Sequence, residues 1–446
     1  MAPLCTPGRT KCVWLVLWLA LAAFLVARAA RRPEARGVIL DHLEFGRRLL
    51  HGEDVHGPWR SDPDAPVRPL HAPYPPSFGL LTAPFSVVAD TLGIRAARAA
   101  WALLQVASLA AAAFALRRRL LPRAPPDAGP SYWHLLWLGT FVIGLRFVLR
   151  DTHGGGGNLV NLALCLLAFD DAERGRHRRA GLWLGLSLVT KPTQVWLVLA
   201  FLALGKSRTV GWTIVTGAAA VFVTLLLQRF DVEPWFRWIE GSWRLATQAD
   251  PFAVPALGFP PFEWMNQALR CAIARWAGEV PPELAARVTL GMPAGLGFGP
   301  AVVAGLVRAA SVLLLAWFAC AAWRARASAS ARLPVFTAAL VLSVLLSPLS
   351  WKAHHVALLP LVFLLLRHAA AKRSRGTWWL LASWAVCCCL PGQDLVGEAV
   401  EEWLNSAYVI TCWDVVLFAI ALLMAKSAAL EDSEATRARE QFDVGR

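Results

Sequence analysis

Charge is scarce in this chain. Asp, Glu, Lys and Arg make up 17% of its 446 residues against 57% hydrophobic ones, which leaves little material for a water-facing surface. The mean hydropathy is +0.49, and the apolar residues come in blocks of membrane-spanning length rather than in amphipathic stripes, so the chain is a polytopic protein of the lipid bilayer. Cysteine chemistry is missing too. None of the nine cysteines forms a CxxC pair or a metal-type spacing with histidine, and most, including Cys387, Cys388 and Cys389, fall inside apolar blocks as small apolar residues. No metal site is expected. No Lys-Ser or Lys-Thr pair directly follows the glycine run 154–157, which excludes a P-loop there. Internal repeats and low-complexity segments are absent as well.

What is present in excess is base: 44 Lys and Arg against 30 acids, a formal charge of +14. Such a balance can mark a nucleic-acid partner, but here the basic residues cluster in short runs between apolar blocks, as orientation signals do. Nucleic acid is set aside. Arg9 and Lys11 precede an apolar run that no small-residue cleavage site follows, so a retained first span is expected.

Spans are expected at 12–30, 95–116, 131–149, 157–169, 209–228, 300–323, 333–349, 354–367, 377–391 and 408–426. The remaining apolar block, 180–204, decides the topology. If it breaks at Pro192 into two short helices that enter and return, Lys206, Arg208, Arg324, Arg326, Arg332, Arg367, Lys372, Arg373 and Arg375 join Arg117–Arg119 and Arg174–Arg179 on the cytoplasmic side. The acidic loop 392–407 then lies outside, and Arg28, Arg31 and Arg32 remain the exception. The expected class is therefore all-α, about ten spans plus a broken hairpin, forming one transmembrane domain over 1–430 with exterior loops 31–94 and 230–298. The charged residues after Lys426 read as disordered, with 431–446 a cytoplasmic tail.

On this map the unusual polar clusters share the non-cytoplasmic face. The stretch VILDHLEFGRRLL, 38–50, reads as an amphipathic surface helix. Its Asp41 is either a general base at the bilayer edge or one more acid on a solvated face, beside a Glu44–Arg48 pair at i, i+4. Tyr74 and the two prolines after it suit a rigid interfacial connector. The run RDTHGGGGN, 150–158, lets a ligand approach the backbone or simply makes a tight turn. Lys191, within an apolar block and followed by Pro192, is expensive in hydrocarbon unless it faces a polar cavity. Asn266 and Gln267 can hold sugar hydroxyls, or Asn266 can cap a helix. In SPLSWKAHH, 347–355, Lys352, His354 and His355 fall on the same face as Lys191 and make a cationic site whose natural partner is a phosphate at the membrane surface. Asp170 and Asp171 lie in a basic cytoplasmic loop and carry no expected chemistry.

The order of an acid in the first exterior helix (Asp41), YPP (74–76), a glycine-rich turn with Asn158, AG...KP (180–192), NQAL (266–269) and SPLSWKAHH resembles the polyprenyl-phosphate-mannose-dependent alpha-1,2-mannosyltransferases, glycosyltransferase family 87. The likeness runs from about residue 35 to 366, with His42 where the family usually has an aromatic. It implies a GT-C fold, a hexosyl transfer with Asp41 as catalytic base, a polyprenyl-phosphate-sugar donor, a glycolipid or glycan acceptor, and neither metal nor nucleotide-sugar cofactor. The donor phosphate would meet Lys191, His354, His355, Lys352 and Arg150, with Tyr74, Asn158, Asn266 and Gln267 on the substrates. The setting implied is a cell membrane, crossed many times, with the active site on its non-cytoplasmic face. Two other readings stand beside it: a transporter or flippase of lipid-linked sugars, for which a buried Lys191 and a broken hairpin are equally expected, and a GT-C enzyme using another prenyl-phosphate sugar.

Overall fold

A computed structural model describes residues 7–32, 38–59, 68–69, 74–120, 129, 131–248, 252 and 264–444. Parts of both long loops, including residues 71–73 and Glu263, lie outside them. The chain passes through α1 (Pro7–Ala30), α2 (Ile39–His51), α3 (Phe78–Leu92), α4 (Ile94–Leu120), α5 (Tyr132–Ile143), α6 (Leu145–Gly154) and α7 (Asn158–Glu173). There follow α8 (His177–Thr190), α9 (Trp196–Ala203), α10 (Ser207–Leu227), α11 (Glu233–Thr247), α12 (Leu269–Ala277) and a single turn, α13 (Pro282–Ala285). The last third holds α14 (Pro300–Ala325), α15 (Arg332–Leu346), α16 (Leu359–Lys372), α17 (Arg375–Trp384), the turn α18 (Gln393–Val396), α19 (Glu398–Ser406) and α20 (Val409–Val444). Among the described residues the extended exceptions to this all-helical order are a two-residue antiparallel pairing, 58–59 with 68–69, and one isolated bridge.

Six helices are long and apolar enough to cross a membrane, or seven if the bent pair α5 and α6 counts as one span. That pair turns by 70° at Gly144, where any side chain would run into Leu359. The bend falls at a glycine and not at a proline, and the glycine lets Leu359 pack close against it. The middle of the bundle is α15, buried along almost its whole length. Phe336 stacks there on Phe169 at 4.4 Å between ring centres.

Ion pairs gather the basic loops at one end. Glu173, at the foot of α7 with its side chain 1% exposed, takes Arg119 at 2.7 Å, Lys206 at 3.0 Å and Arg332 at 3.2 Å. Burial pushes its carboxyl up, but Lys206, Arg332 and Arg119 outweigh that and hold it below the ordinary value of 4.5. Asp170 takes Arg174, and Asp171 takes Arg176 and Arg179 together with the Trp183 indole. Both acids are thus held by arginines, chiefly local ones.

The same contacts show what the block 180–204 does. Lys206, beyond α9, meets Glu173 and the Ala172 carbonyl, and the His177 imidazole bonds the Thr209 hydroxyl at 3.0 Å. The chain has therefore returned to where α8 began, so α8 and α9 form a hairpin with Lys191 at its tip. Lys191 is extended (φ −152°, ψ 93°), the conformation a following proline imposes. Next, α10 climbs parallel to α8, because Gly181 lies against Trp212 and Gly185 leaves only 2.5 Å between a would-be Cβ and that of Thr216. Small residues four apart permit such close packing in lipid.

One expectation fails at the C-terminus. The charged segment after Lys426 continues α20 as helix to Val444. Its Asp432 accepts hydrogen bonds from the hydroxyls of Ser328 at 2.7 Å and Ser330 at 2.5 Å, which anchor the extra turns to the α14–α15 loop.

Candidate functional site

Opposite the arginine-rich end lies a cavity of about 830 Å³. Arg32, Tyr74, the turn after α6, the tip of the α8–α9 hairpin, one side of α11 and the segment 346–354 enclose it. Six residues expected to bind substrate line it together: Tyr74, Arg150, Asn158, Lys191, Lys352 and His354. Asp41, Asn266, Gln267 and His355 do not.

Lys191 arrives there because the hairpin breaks there. Its ammonium donates to the Gly156 carbonyl at 3.1 Å and stands 5.5 Å from the centre of the Tyr74 ring. Asp151, fully buried, supplies the nearby negative charge. Its carboxylate accepts from the Asn158 and Leu159 amides at 3.1 and 2.8 Å and from the Asn158 side chain at 2.6 Å, so it caps the first turn of α7. The glycine run makes this possible. Gly155 and Gly157 have φ of 81° and 72°, and at Gly156 a Cβ would collide with the Asp151 carboxylate. The turn wraps a buried acid, which is why it tolerates no side chain.

A second charged knot closes the cavity near α19. Glu401 binds Arg146, Lys352 at 2.5 Å and Arg150 at 3.5 Å, leaving three cations around one carboxylate. Burial raises the Glu401 carboxyl, yet Lys352, Arg146 and Arg150 hold it below 4.5. Lys352 and Arg150 are thus lining cations already tied to an acid, and the excess positive charge faces the cavity. Sequence reasoning missed Arg146, Asp151 and Glu401. Glu401 pairs with Arg146 across 255 residues and with Lys352 across 49, separations no local pattern spans, whereas Asp151 binds Asn158 only seven residues on but sits in a run that reads as a simple turn.

The two histidines part company. His354 lines the cavity, and its Nδ1 accepts from the Trp351 amide at 2.8 Å, which leaves the neutral ring's proton on Nε2, a donor. His355 is fully buried, with Nε2 2.9 Å from Asp414 and its ring stacked on Phe147. It is held inside the bundle rather than offered to a phosphate.

Asn266 and Gln267 also bind protein. The Asn266 amide donates to the Pro348 carbonyl and accepts from the Ser350 amide at 3.2 and 2.9 Å. Gln267 donates to the carbonyls of Trp264 and Asn405 at 2.7 and 3.0 Å. Expected on a substrate, the Asn266 amide instead clasps the segment 347–350 and the Gln267 amide ties Trp264 to Asn405, pairing backbone groups that need partners when buried.

Asp41 is 4% exposed, so the solvated-face reading fails for it while the Glu44–Arg48 pair forms at 2.8 Å. It sits one helical turn beyond Val38, which lines the cavity. Burial, then the charges of Asp41 and Asp151, push the Tyr74 phenol above its ordinary value, which places both carboxylates within electrostatic reach of a lining side chain. His42 packs edge-on against Tyr74, Phe78 and Trp101 at 5.1, 4.8 and 5.6 Å, serving as the aromatic its position calls for. Of the tryptophans on α11, Trp238 and Trp243 line the cavity.

Comparison with known proteins follows the same stretch of chain. The sequence model of glycosyltransferase family 87 matches residues 72–348. A polyprenol-phosphate-mannose-dependent alpha-(1-2)-phosphatidylinositol pentamannoside mannosyltransferase of Mycobacterium tuberculosis is 25% identical over 272 residues, covering 59% of this chain and 55% of its own. A protein of the same description from Mycolicibacterium smegmatis is 29% identical over 273 residues, covering 60% and 54%. The chain thus matches little more than half the length of these relatives. No solved structure matches.

Proposed function

The chain belongs to glycosyltransferase family 87, and from that membership we propose that it moves mannose from a polyprenyl-phosphate donor to a hydroxyl of a glycolipid or glycan acceptor. The observation that carries this reading is the cavity itself, where Lys191, His354, Arg150 and Lys352 converge at the end of the bundle away from the arginine-rich loops. That end is then the non-cytoplasmic face of a cell membrane, by the charge rule. On this reading residues 1–430 form one GT-C-type domain with ten crossings and the hairpin.

The chemistry asks for two things. The acceptor oxygen must lose its proton as it attacks the sugar carbon, and the phosphate must be stabilised as its charge grows on leaving. Asp41 takes the proton, the new C–O bond forms on the face opposite the phosphate, and the bond from sugar to phosphate oxygen breaks with inversion. Lys191 and the His354 Nε2–H meet the departing charge, with Arg150 and Lys352 adding to the field. The apolar wall of Val195, Trp196, Leu346 and Leu349 suits the first prenyl units, while Trp238 and Trp243 offer flat faces to sugar rings.

Purified protein given radiolabelled polyprenyl-phosphate-mannose and a panel of glycolipid acceptors tests this. Label in the acceptor supports the reading. Intact donor carried across vesicles with no transfer would make the protein a transporter instead.

A further inference from the structure

At the arginine-rich end, far from the cavity described above, α8 and α10 enclose a second hollow of about 640 Å³. The first turn of α8 contributes Arg176, His177, Arg178 and Arg179, and α10 contributes Arg208 and Trp212. It exists because Gly181 seats the two helices against each other just below it. Its charge is unbalanced. Asp171 takes Arg176 and Arg179 at 3.6 and 3.3 Å, but among the described residues no carboxylate lies within ion-pair distance of Arg178 or Arg208. Arg178 rests instead on the Trp212 ring, 5.1 Å from its centre. His177 feels the surplus: burial first, then Lys206 and Arg208, hold its imidazole below its ordinary value.

The hollow also has a direction. Along α10 it runs onto an apolar surface, with Ile214 68% and Val215 54% exposed, on a helix long and apolar enough to cross the bilayer. A cationic recess therefore meets a lipid-facing stripe at the depth where tryptophans mark the headgroup layer. Arginine forks match phosphate oxygens, and basic recesses between spans on this side of a membrane suit phosphorylated headgroups. A free anion would find the charge but leave the stripe unused.

We propose that this groove binds an anionic glycerophospholipid, its phosphate between Arg178 and Arg208 and its acyl chains along α10. The site is independent of the transfer chemistry and stands or falls apart from it.

Native mass spectrometry of the full-length protein, titrated with phosphatidylglycerol and phosphatidylcholine, tests this. One phosphatidylglycerol is expected to bind in clear preference to phosphatidylcholine. The double variant Arg178→Gln, Arg208→Gln should bind it about 30-fold more weakly, the sum of two surface arginines. Arg178→Lys with Arg208→Lys keeps the charge but not the fork and should bind more tightly than the Gln pair and more weakly than wild type, which separates loss of charge from loss of fold. A control, Lys372→Gln with Arg375→Gln, removes the same charge from exposed positions of another basic loop and should leave binding unchanged. Equal weakening in the control, no preference over phosphatidylcholine, or complete displacement by inorganic phosphate would overturn the proposal.

Discussion

Lys191 combines three properties that rarely meet in one side chain: it is 6% exposed, it sits at a helix break, and it lines a cavity. A lysine in hydrocarbon costs roughly 2.5–3.5 kcal/mol or more, so its place must be supported, and the Gly156 carbonyl and the Asp151 charge provide that support. Lys191→Met relieves the burial cost but removes the cation proposed to face the donor phosphate. It should therefore leave the protein folded while lowering kcat by about 100- to 1,000-fold, measured as transfer from saturating donor beside the melting temperature. His354→Phe should lower transfer, whereas His355→Phe should act on stability, since Asp414 would lose its buried partner. From sequence the two histidines were indistinguishable. They differ by one position in a 3-10 turn, Lys352–Leu358, so that their side chains leave on different sides.

Elements explain how these residues are held. Glu401 on α19 collects three cations from α6 and the turn before α16, and its neutral isostere would strand Lys352 and Arg146 in a buried site. Glu401→Gln should destabilise the protein by about 3 kcal/mol and raise the donor KM, a positioning effect visible as a KM change larger than the kcat change. Glu173 plays the matching part at the far end. Both carboxyls lie below 4.5 in the folded state, so the stability they contribute is complete above that value and disappears as pH falls through their lowered pKa values. Thermal melts should stay flat from neutral pH to about 5 and drop below about 4; a melt unchanged at pH 3 would contradict this. Gly181→Leu should prevent α8 and α10 from docking, with loss of folded protein in detergent. The hairpin itself was legible, because a Lys-Pro break and the charge of Lys206 and Arg208 both report on local chain. The carboxylates that fix its surroundings were not. Glu401 looked only like a marker of the outer face, and Asp151 like part of a flexible turn.

At the scale of the whole molecule, charge is sorted by end. The basic loops bind Asp170, Asp171 and Glu173 at one end, and every residue that lines the large cavity lies at the other. That division followed from the sequence alone, since orientation signals act through composition rather than through long-range contacts. Six of the polar residues expected at the cavity line it, but Asp41, Asn266, Gln267 and His355 do not. Asn266 and Gln267 carry the chemistry of sugar binders but are consumed by the backbone of 347–350 and 405, a demand set by tertiary packing. Asp41, outside the stretch matched by the family model, is buried and so is not a surface acid, and the proposed transfer turns on its acting as the base. The most direct measurement is mannosyl transfer by Asp41→Asn and wild type in the same proteoliposomes, with the product's anomeric configuration read by NMR. An inverted product is expected from wild type, with a loss of about 100- to 10,000-fold in the variant at unchanged donor binding; full activity in Asp41→Asn, or retention of configuration, would contradict a single displacement with Asp41 as base.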